Sequence, residues 1–163
     1  MNADYSGDGR LRSGCQRERG VNVQIYDEDG VRFEYPPHWE LEVTDVDEVR
    51  TVAVQDPDGL GFALITSDES CPDPAEVAES ALEAMRDEYA DLESTPVLEA
   101  IGDHAATGHD LEFFALDMTN SALIRCFRTP RRTFLAFGQW SDLGPDELAD
   151  LVRDVVHSIV ETE

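Results

Sequence analysis

The chain has 163 residues, and its 36 acidic residues against 12 basic ones give a formal net charge of −24 at pH 7. Phosphate backbones and anionic membranes are bound by basic protein surface, so this composition argues against nucleic acid and membranes as partners. No apolar run approaches the roughly 20 residues that span a bilayer. The first residues also lack the apolar core of a signal peptide, so we expect a cytoplasmic location.

The acidity has two interpretations. Near 1 M salt the Debye length falls to about 3 Å, which removes most of the repulsion between surface carboxylates. All basic residues are arginine, and a guanidinium can hold a carboxylate with two parallel hydrogen bonds. Adaptation to a high-salt cytoplasm explains both features. A GC-rich genome, which favours arginine codons over lysine codons, stays open as the other explanation.

The cysteines indicate neither a disulfide framework nor a zinc site. Cys15, Cys71 and Cys126 make an odd number and form no CxxC pair. Cys126 stands in an apolar strand pattern, which is typical of a buried and unreactive thiol. Cys71 precedes a proline, and we expect it in a loop.

Two groups of residues raise the question of cation binding. Asp27 and Asp29 lie in a DEDG run that lacks the spaced ligands and closing glutamate of a calcium loop, so a solvated turn is favoured. His104 and His109 have acidic neighbours, but their spacing matches no standard metal-binding pattern. We therefore predict no metal and no cofactor. Whether either group holds a cation stays open at this point.

The apolar pattern divides the chain into a tail and one domain. Residues 1–20 lack apolar periodicity and are predicted to form a disordered tail, which leaves 21–163 as a single domain. Alternating apolar residues predict strands over 23–25, 31–35, 39–43, 51–55 and 62–67. Two runs that end in Asp-Gly predict turns: 27–30 between the first two strands, and 56–59 between the last two.

A change of period then predicts a helix. Apolar residues at helical spacing run from about 74 to 92, with Asp73 as N-cap and Pro74 at the first helical position. A second block of strands follows at about 97–101, 107–118, 122–129 and 133–140, with turns at 119–121 and 130–132. The last of these strands is apolar on both faces, which predicts that it is covered on both sides. A strongly amphipathic helix with an apolar stripe from Leu148 to Val160 closes the chain.

The order of these elements and a short aromatic motif resemble the PsbP-like family. The motif is carried by Phe33, Tyr35, Pro36 and Trp39, and the closing segment at 157–160 is similar to the last helix of that family. The likeness covers about residues 22–160. It implies an α+β fold, in which an antiparallel sheet of about six to nine strands is flanked by two helices in an α/β/α sandwich. It does not imply one function, because fold and function separate readily.

No signature of catalysis is present. The sequence lacks a nucleophile elbow, a P-loop, a dinucleotide-binding glycine motif and a zinc-protease motif. We therefore nominate no catalytic residue and expect no enzyme. The sequence favours a module that binds another protein or a peptide, through the exposed sheet face or its edges. The alternative is a small-molecule or cation binder with a pocket between sheet and helices, and the oligomeric state is left open.

A cluster of arginines gives the candidate binding residues. Arg125, Arg128, Arg131 and Arg132 lie in one predicted hairpin of an otherwise acidic domain. Arg128, Arg131 and Arg132 are the candidates for contact with an acidic partner. Strand alternation sends Arg125 and Arg128 to opposite faces, which weakens the idea of one patch. The alternative is that these arginines pair with carboxylates across the sheet.

Overall fold

The computed structural model describes residues 22–162. The predicted disordered tail over 1–20 lies outside the described residues. The strands before the first helix are β1 Gln24–Glu28, β2 Val31–Tyr35, β3 Glu40–Val46, β4 Val49–Gln55 and β5 Gly61–Asp68. They are followed by α1 Pro74–Glu88, β6 Glu93–Ile101, β7 His104–Ala115, β8 Met118–Arg128, β9 Thr133–Ser141, α2 Leu148–His157 and β10 Val160–Glu161.

The strands form two antiparallel sheets. The larger has seven strands in the order β3-β4-β5-β9-β8-β7-β6, and the smaller has three in the order β10-β2-β1. Helix α1 packs on β7, β8 and β9, while α2 packs on β5, β9 and β2. This arrangement confirms the predicted α+β class, with two helices flanking antiparallel sheet. Within residues 22–162, neither helix is long and apolar enough to cross a bilayer.

The larger of two apolar cores lies between the seven-stranded sheet and the layer formed by α2 and the small sheet. Alternate side chains of the central strands point into it, among them Val54, Ile65 and Phe134. Val152 and Val156 reach it from α2. Trp39, immediately before β3, is 5% exposed and packs in the same core. The tryptophan of the aromatic motif therefore serves the fold.

A smaller core lies under α1. Ala78 and Leu82 of the helix are buried against Phe113 and Ile124 of the sheet. Tyr89 stacks on Phe113, with ring centroids 4.2 Å apart. The helix begins where it was predicted, with Asp73 as N-cap and proline in the first turn, but it ends at Glu88.

Two predicted turns are confirmed by their backbone. Asp29 and Gly30 have φ values of 53° and 84°, the left-handed pair that a tight hairpin needs. In the β4–β5 turn the carboxylate of Asp56 accepts hydrogen bonds from the backbone N–H groups of Asp58, Leu60 and Gly61. The side chain thus fixes a turn that has few backbone bonds of its own.

The turn predicted at 119–121 is wrong. The β7–β8 hairpin turns at Leu116 and Asp117, whose φ values are 55° and 61°. Neither residue is glycine, so the usual sequence signal for two left-handed positions is missing. The residues assigned to the turn belong to β8 instead, and Asn120 among them is buried.

The closing helix is shorter than predicted. Its regular part ends at His157, and Val160 leaves the helix to pair with Arg32 as part of β10. The backbone N–H of Thr162 also donates to the carbonyl of Gly30 at 2.8 Å. The end of the chain is therefore bonded to the β1–β2 hairpin, a long-range contact that local periodicity does not reveal.

Candidate functional site

One half of the large sheet has an uncovered face. Helix α1 lies over β7, β8 and β9, and in the described part of the chain no helix or strand packs substantially on the same face of β3, β4 and β5. The side chains there are partly exposed, whereas their neighbours in sequence are buried on the α2 side. We call this surface the open sheet face. It consists of Thr51, Ala53, Phe62, Leu64 and Thr66 of β4 and β5, and it continues onto Leu135 and Phe137 of β9, which also pack against the core under α1.

The centre of the open sheet face is apolar. Leu64 lies between Ala53 of β4 and Phe137 of β9 in the strand register. Phe62 and Phe137 pack together with ring centroids 6.0 Å apart. At one end the hydroxyls of Thr51 and Thr66 are hydrogen-bonded at 3.2 Å. The result is a flat apolar surface with satisfied polar groups beside it.

The open sheet face has an acidic border and an apolar border. Glu40 and Glu42 of the outer strand β3 are exposed and in register with Gln55 and Ala53 of β4. On the other side, helical geometry places Val77 and Ala81 on the flank of α1 opposite to Glu79. Because Glu79 contacts His109 on β7, that apolar flank faces β9 and extends the open sheet face.

The sequence identified only part of this surface. The prediction that the last strand of the second block is covered on both sides is confirmed in part, since α2 and α1 both pack on β9. Phe134 and Ala136 are fully buried, whereas Leu135 and Phe137 are only partly covered. Phe62 and Leu64 gave no signal as binding residues, because alternation alone does not tell which half of a sheet a helix covers.

The three candidate arginines differ in exposure. Arg128 is exposed and donates to the carbonyl of Cys71 at 3.3 Å. Arg131 is exposed in the β8–β9 turn. Arg132 is only 7% exposed. Contact of these residues with a partner stays a prediction.

Arg132 is used inside the protein. Its Nη1 donates to the carbonyl of Asp29 at 2.8 Å. Its Nε lies 3.0 Å from Glu161 Oε2, which is close enough for an ion pair although hydrogen-bond geometry is not met. A Cβ added to Gly30 would lie 2.9 Å from the guanidinium, so this glycine leaves room for the arginine. Arg132 thus connects the β8–β9 turn to the small sheet.

Arg125 and Arg128 lie on opposite faces of β8, as strand alternation predicts. Arg125 faces the α2 side and is 2% exposed. It is held by the carboxylates of Glu99 and Asp110. The alternative interpretation of the arginines, pairing with carboxylates across the sheet, therefore describes Arg125.

The two histidines considered for a metal do not meet. His104 stacks on Phe127, with ring centroids 5.2 Å apart. The Nε2 of His109 lies 3.0 Å from Glu79 Oε2 on the α1 side of the sheet. The odd spacing of the two residues along β7 places them on opposite faces. In residues 22–162 no group of three or more histidine, cysteine or carboxylate ligands is arranged to hold a metal ion.

The acidic turn over 27–30 is braced by an arginine. Arg50 lies 2.5 Å from the carboxylate of Asp29, and it binds Asp45 through Nε and Nη2 at 2.8 and 3.0 Å. Its Nη1 also donates to the hydroxyl of Tyr26 at 3.1 Å. These contacts fasten the small sheet to the large one.

The two cysteines in the described chain differ in burial and in contacts. Cys126 is buried, and burial raises its pKa to about 12. A thiol with such a pKa is almost entirely protonated at neutral pH and is a poor nucleophile. The Sγ of Cys71 contacts the carbonyl of Pro130 at 3.8 Å, which places this cysteine in a loop as expected.

Two concave regions border α2. A depression of about 230 Å³ lies between α2 and strands β6 to β8, beside Asp110, Trp140 and Arg153. A groove of about 420 Å³ lies between α2 and β2, beside Tyr35 and Asp154. Ligand sites usually enclose about 300–1,000 Å³, so of these two regions it is the groove that falls in the range expected for the alternative function.

Comparison with protein-family models gives no match, and comparison with curated protein sequences gives none either. Solved structures do match. Cyanobacterial PsbP (CyanoP) from Synechocystis sp. PCC 6803 superposes with a TM-score of 0.62 at 14% identity, over 91% of this chain and 98% of that one. The fold is PsbP-like.

Two further structures have the same PsbP-like fold. LpqN, involved in cell envelope biogenesis of Mycobacterium tuberculosis, matches with a TM-score of 0.56 at 13% identity, over 89% of this chain and 94% of that one. A Bacteroides thetaiotaomicron protein matches with a TM-score of 0.56 at 14% identity, over 88% of this chain. Our chain spans about half of that protein, 49% of its length. These likenesses establish the fold alone.

Proposed function

We propose that the chain is a non-enzymatic, PsbP-like module that binds another protein or a peptide in a high-salt cytoplasm. The open sheet face, centred on Leu64, is the surface that contacts the partner. The observation that carries this proposal is the partly exposed apolar row from Ala53 through Leu64 to Phe137, which begins on the uncovered strands β4 and β5 and ends on β9 beside α1. Contiguous apolar surface of this kind is typical of interaction sites.

Salt conditions favour an apolar contact surface. Near 1 M salt, electrostatic attraction acts over only about 3 Å. Apolar burial is not screened and is strengthened by strongly hydrated salts. Full burial of a large apolar side chain contributes about 1.5–3 kcal/mol. Phe62, Leu64 and Phe137 are already partly buried, and each would add a fraction of that amount to the binding free energy.

The contacts of the reactive residues support a role without catalysis. His109 is paired with Glu79, and His157 lies 3.1 Å from Glu99. His104 stacks on Phe127 in the interior. Each of these rings has a structural contact, and within residues 22–162 none of them is hydrogen-bonded to a cysteine or serine as a nucleophile and its base would be.

A small-molecule binder is the second candidate, and the groove between α2 and β2 favours it. Burial raises the pKa of Asp154 beside this groove, and the charge of Asp150 raises it further, while His157 acts in the opposite direction. Leu151 and Val155 supply apolar lining. A carboxyl with a raised pKa beside apolar walls is a feature of ligand sites. A thermal-shift screen in concentrated KCl tests this candidate. We expect some small molecules to raise the unfolding temperature of the wild-type chain and to lose that effect with Leu151→Arg.

The proposed function is tested by affinity purification from the native host at its own salt concentration. We expect a partner protein to co-purify in stable proportion with the wild-type chain. Leu64→Arg should remove the partner, because the arginine adds a charge at the centre of the open sheet face. Leu143→Arg is the matched control, since Leu143 is an exposed leucine in a loop outside this face. Equal recovery with both variants, or recovery of no protein partner, contradicts the proposal.

A further inference from the structure

Strand β3 is an edge strand of unusual accessibility. It spans Glu40–Val46, and six of its seven residues are exposed. Within residues 22–162 its outer edge has no strand partner. An edge of this kind presents backbone N–H and C=O groups to which another strand can bond.

The other edge of the large sheet is protected differently. Strand β6 carries Pro96 near its middle, and proline cannot donate to a further strand. Strand β3 contains no proline. Of the two edges, β3 is the one whose backbone is free of this block.

The side chains of β3 separate by charge and face. Glu40 and Glu42 point to the side of the open sheet face, in register with Gln55 and Ala53. Leu41 and Val43 point to the opposite side, in register with Val54 and Val52. Val43 is exposed, and Leu41 packs on the edge of the core. Over 40–43 one face of the edge is therefore acidic and the other apolar. Farther along the strand, Asp45 lies on the apolar side and is held by Arg50, and exposed Val46 lies on the acidic side.

We propose that β3 accepts an extended segment of a partner protein, as an added strand, in which arginine or lysine alternates with apolar residues. Alternation places all cationic side chains of such a segment beside Glu40 and Glu42. Its apolar side chains then lie beside Leu41 and Val43. This inference rests on the proposed function and gives the chemistry of the partner and its mode of binding.

The acids of β3 select against a second copy of the chain. Pairing two β3 strands would bring Glu40 and Glu42 of one copy close to the same residues of the other, and like charges opposite each other destabilise a strand pair. A cationic segment reverses this interaction. The acidic edge thus prevents self-pairing and favours one class of partner, which is how specificity is often obtained.

Backbone bonding and apolar contact supply most of the affinity in salt. The added strand forms hydrogen bonds along the edge, and its apolar residues cover Val43. The cation–carboxylate pairs are short-range contacts, so they keep part of their effect when longer-range attraction is screened. We therefore expect binding to weaken with salt without disappearing.

The test uses the full chain and a labelled peptide of about eight residues in which arginine alternates with valine. Fluorescence anisotropy should show saturable binding, and the same peptide with glutamate in place of arginine should not bind. Glu40→Arg combined with Glu42→Arg should weaken binding at least about tenfold. Glu76→Arg combined with Glu83→Arg, on the exposed side of α1, is the matched control and should change it less than about threefold.

Two N-methylated peptides separate strand addition from simple charge attraction. Methyl groups on the backbone nitrogen of every valine block one edge of the extended peptide. Methyl groups on the backbone nitrogen of every arginine block the other edge. We expect one of the two to lose binding at least about tenfold and the other to keep it. Equal binding by both, or no binding of the parent peptide, overturns the inference. The inference is also overturned if the wild-type chain sediments as a dimer and the Glu40→Arg, Glu42→Arg double variant sediments as a monomer.

The same variants separate this inference from the proposed function. If Leu64→Arg removes the host partner while the β3 substitutions leave peptide binding unchanged, the inference fails and the proposed function stands. If the peptide binds at β3 while Leu64→Arg keeps the host partner, the open sheet face is the wrong surface and the strand edge stands.

Discussion

The carboxylate of Glu99 accepts a hydrogen bond from the Nε of Arg125, inside the fold. Arg125 also donates from Nη2 to Asp110 at 2.9 Å and from Nη1 to the carbonyls of His109 and Ile124. The guanidinium uses its donors within the protein and has almost no exposed surface. It therefore cross-links strands β6, β7 and β8 and is not available to a partner.

Replacing Arg125 with methionine should cost about 2–4 kcal/mol in the free energy of unfolding. The change keeps an extended side chain but removes the guanidinium that contacts both Glu99 and Asp110. Breaking a buried ion pair costs about 3–5 kcal/mol, and the partial exposure of both carboxylates reduces that figure. Urea unfolding in concentrated KCl measures the loss. Arg128→Met, at an exposed arginine of the same strand, should change it by less than about 0.5 kcal/mol.

The pKa of Glu99 gives the stability a defined pH dependence. Burial raises this pKa, but hydrogen bonds from Arg125 and His157 lower it more, so it lies below its ordinary value. A carboxyl with a lowered pKa stabilises the fold fully above its unfolded pKa of about 4.3. The contribution is lost as the pH falls through the lower, folded value.

A comparison with Glu99→Gln isolates this effect from the other acids. The wild-type chain should exceed the variant in unfolding free energy by a constant amount above about pH 5, and the gap should close below about pH 4. Denaturant unfolding at several pH values measures the gap. A gap that widens in acid contradicts the assigned pairing.

Gly108 is required by a close approach of two backbones. A Cβ at this position would lie 1.7 Å from the carbonyl oxygen of Ile124 on the paired strand. Gly108→Ala should therefore disrupt β7–β8 pairing and cost about 3 kcal/mol or more. Gly102 has a φ of 59° with no atom near its Cβ position, so Gly102→Ala should cost only about 1 kcal/mol. Thermal unfolding of both variants distinguishes backbone collision at Gly108 from left-handed strain at Gly102. Equal losses of stability in the two variants would contradict this distinction.

The sequence predicts local structure well where one rule dominates. Asp29 and Gly30 give a tight turn because their residue types tolerate left-handed backbone. Leu116 and Asp117 adopt the same backbone, but leucine gives no such signal and no glycine follows it, so the sequence does not locate this turn. Val160 shows the other limit, since its pairing with Arg32 joins distant parts of the chain.

The open sheet face depends on a pairing that the sequence does not show. Strand β5 pairs with β9 in the register Leu64 to Phe137, across a helix and three intervening strands. That pairing decides which strands α1 covers and which it leaves open. The apolar character of Phe62 and Leu64 was visible in the sequence, but their exposure was not.

Salt should decide whether the acidic chain is folded. Because screening removes repulsion among the surface carboxylates, we expect full folding in concentrated KCl and a lower unfolding midpoint in dilute buffer. Thermal unfolding followed by circular dichroism across a KCl series measures the midpoint temperature. An unchanged midpoint in dilute buffer assigns the acidity to genome composition instead of salt adaptation.

Hydroxyl-radical footprinting of the partner complex tests the central claim most directly. Oxidation of Phe62 and Phe137 should fall on complex formation, because a partner on the open sheet face covers both rings. Phe114 is an exposed aromatic outside this face and should be oxidised equally in both states. Unchanged oxidation of Phe62 and Phe137, with protection of Tyr35 beside the α2 groove instead, would contradict the account.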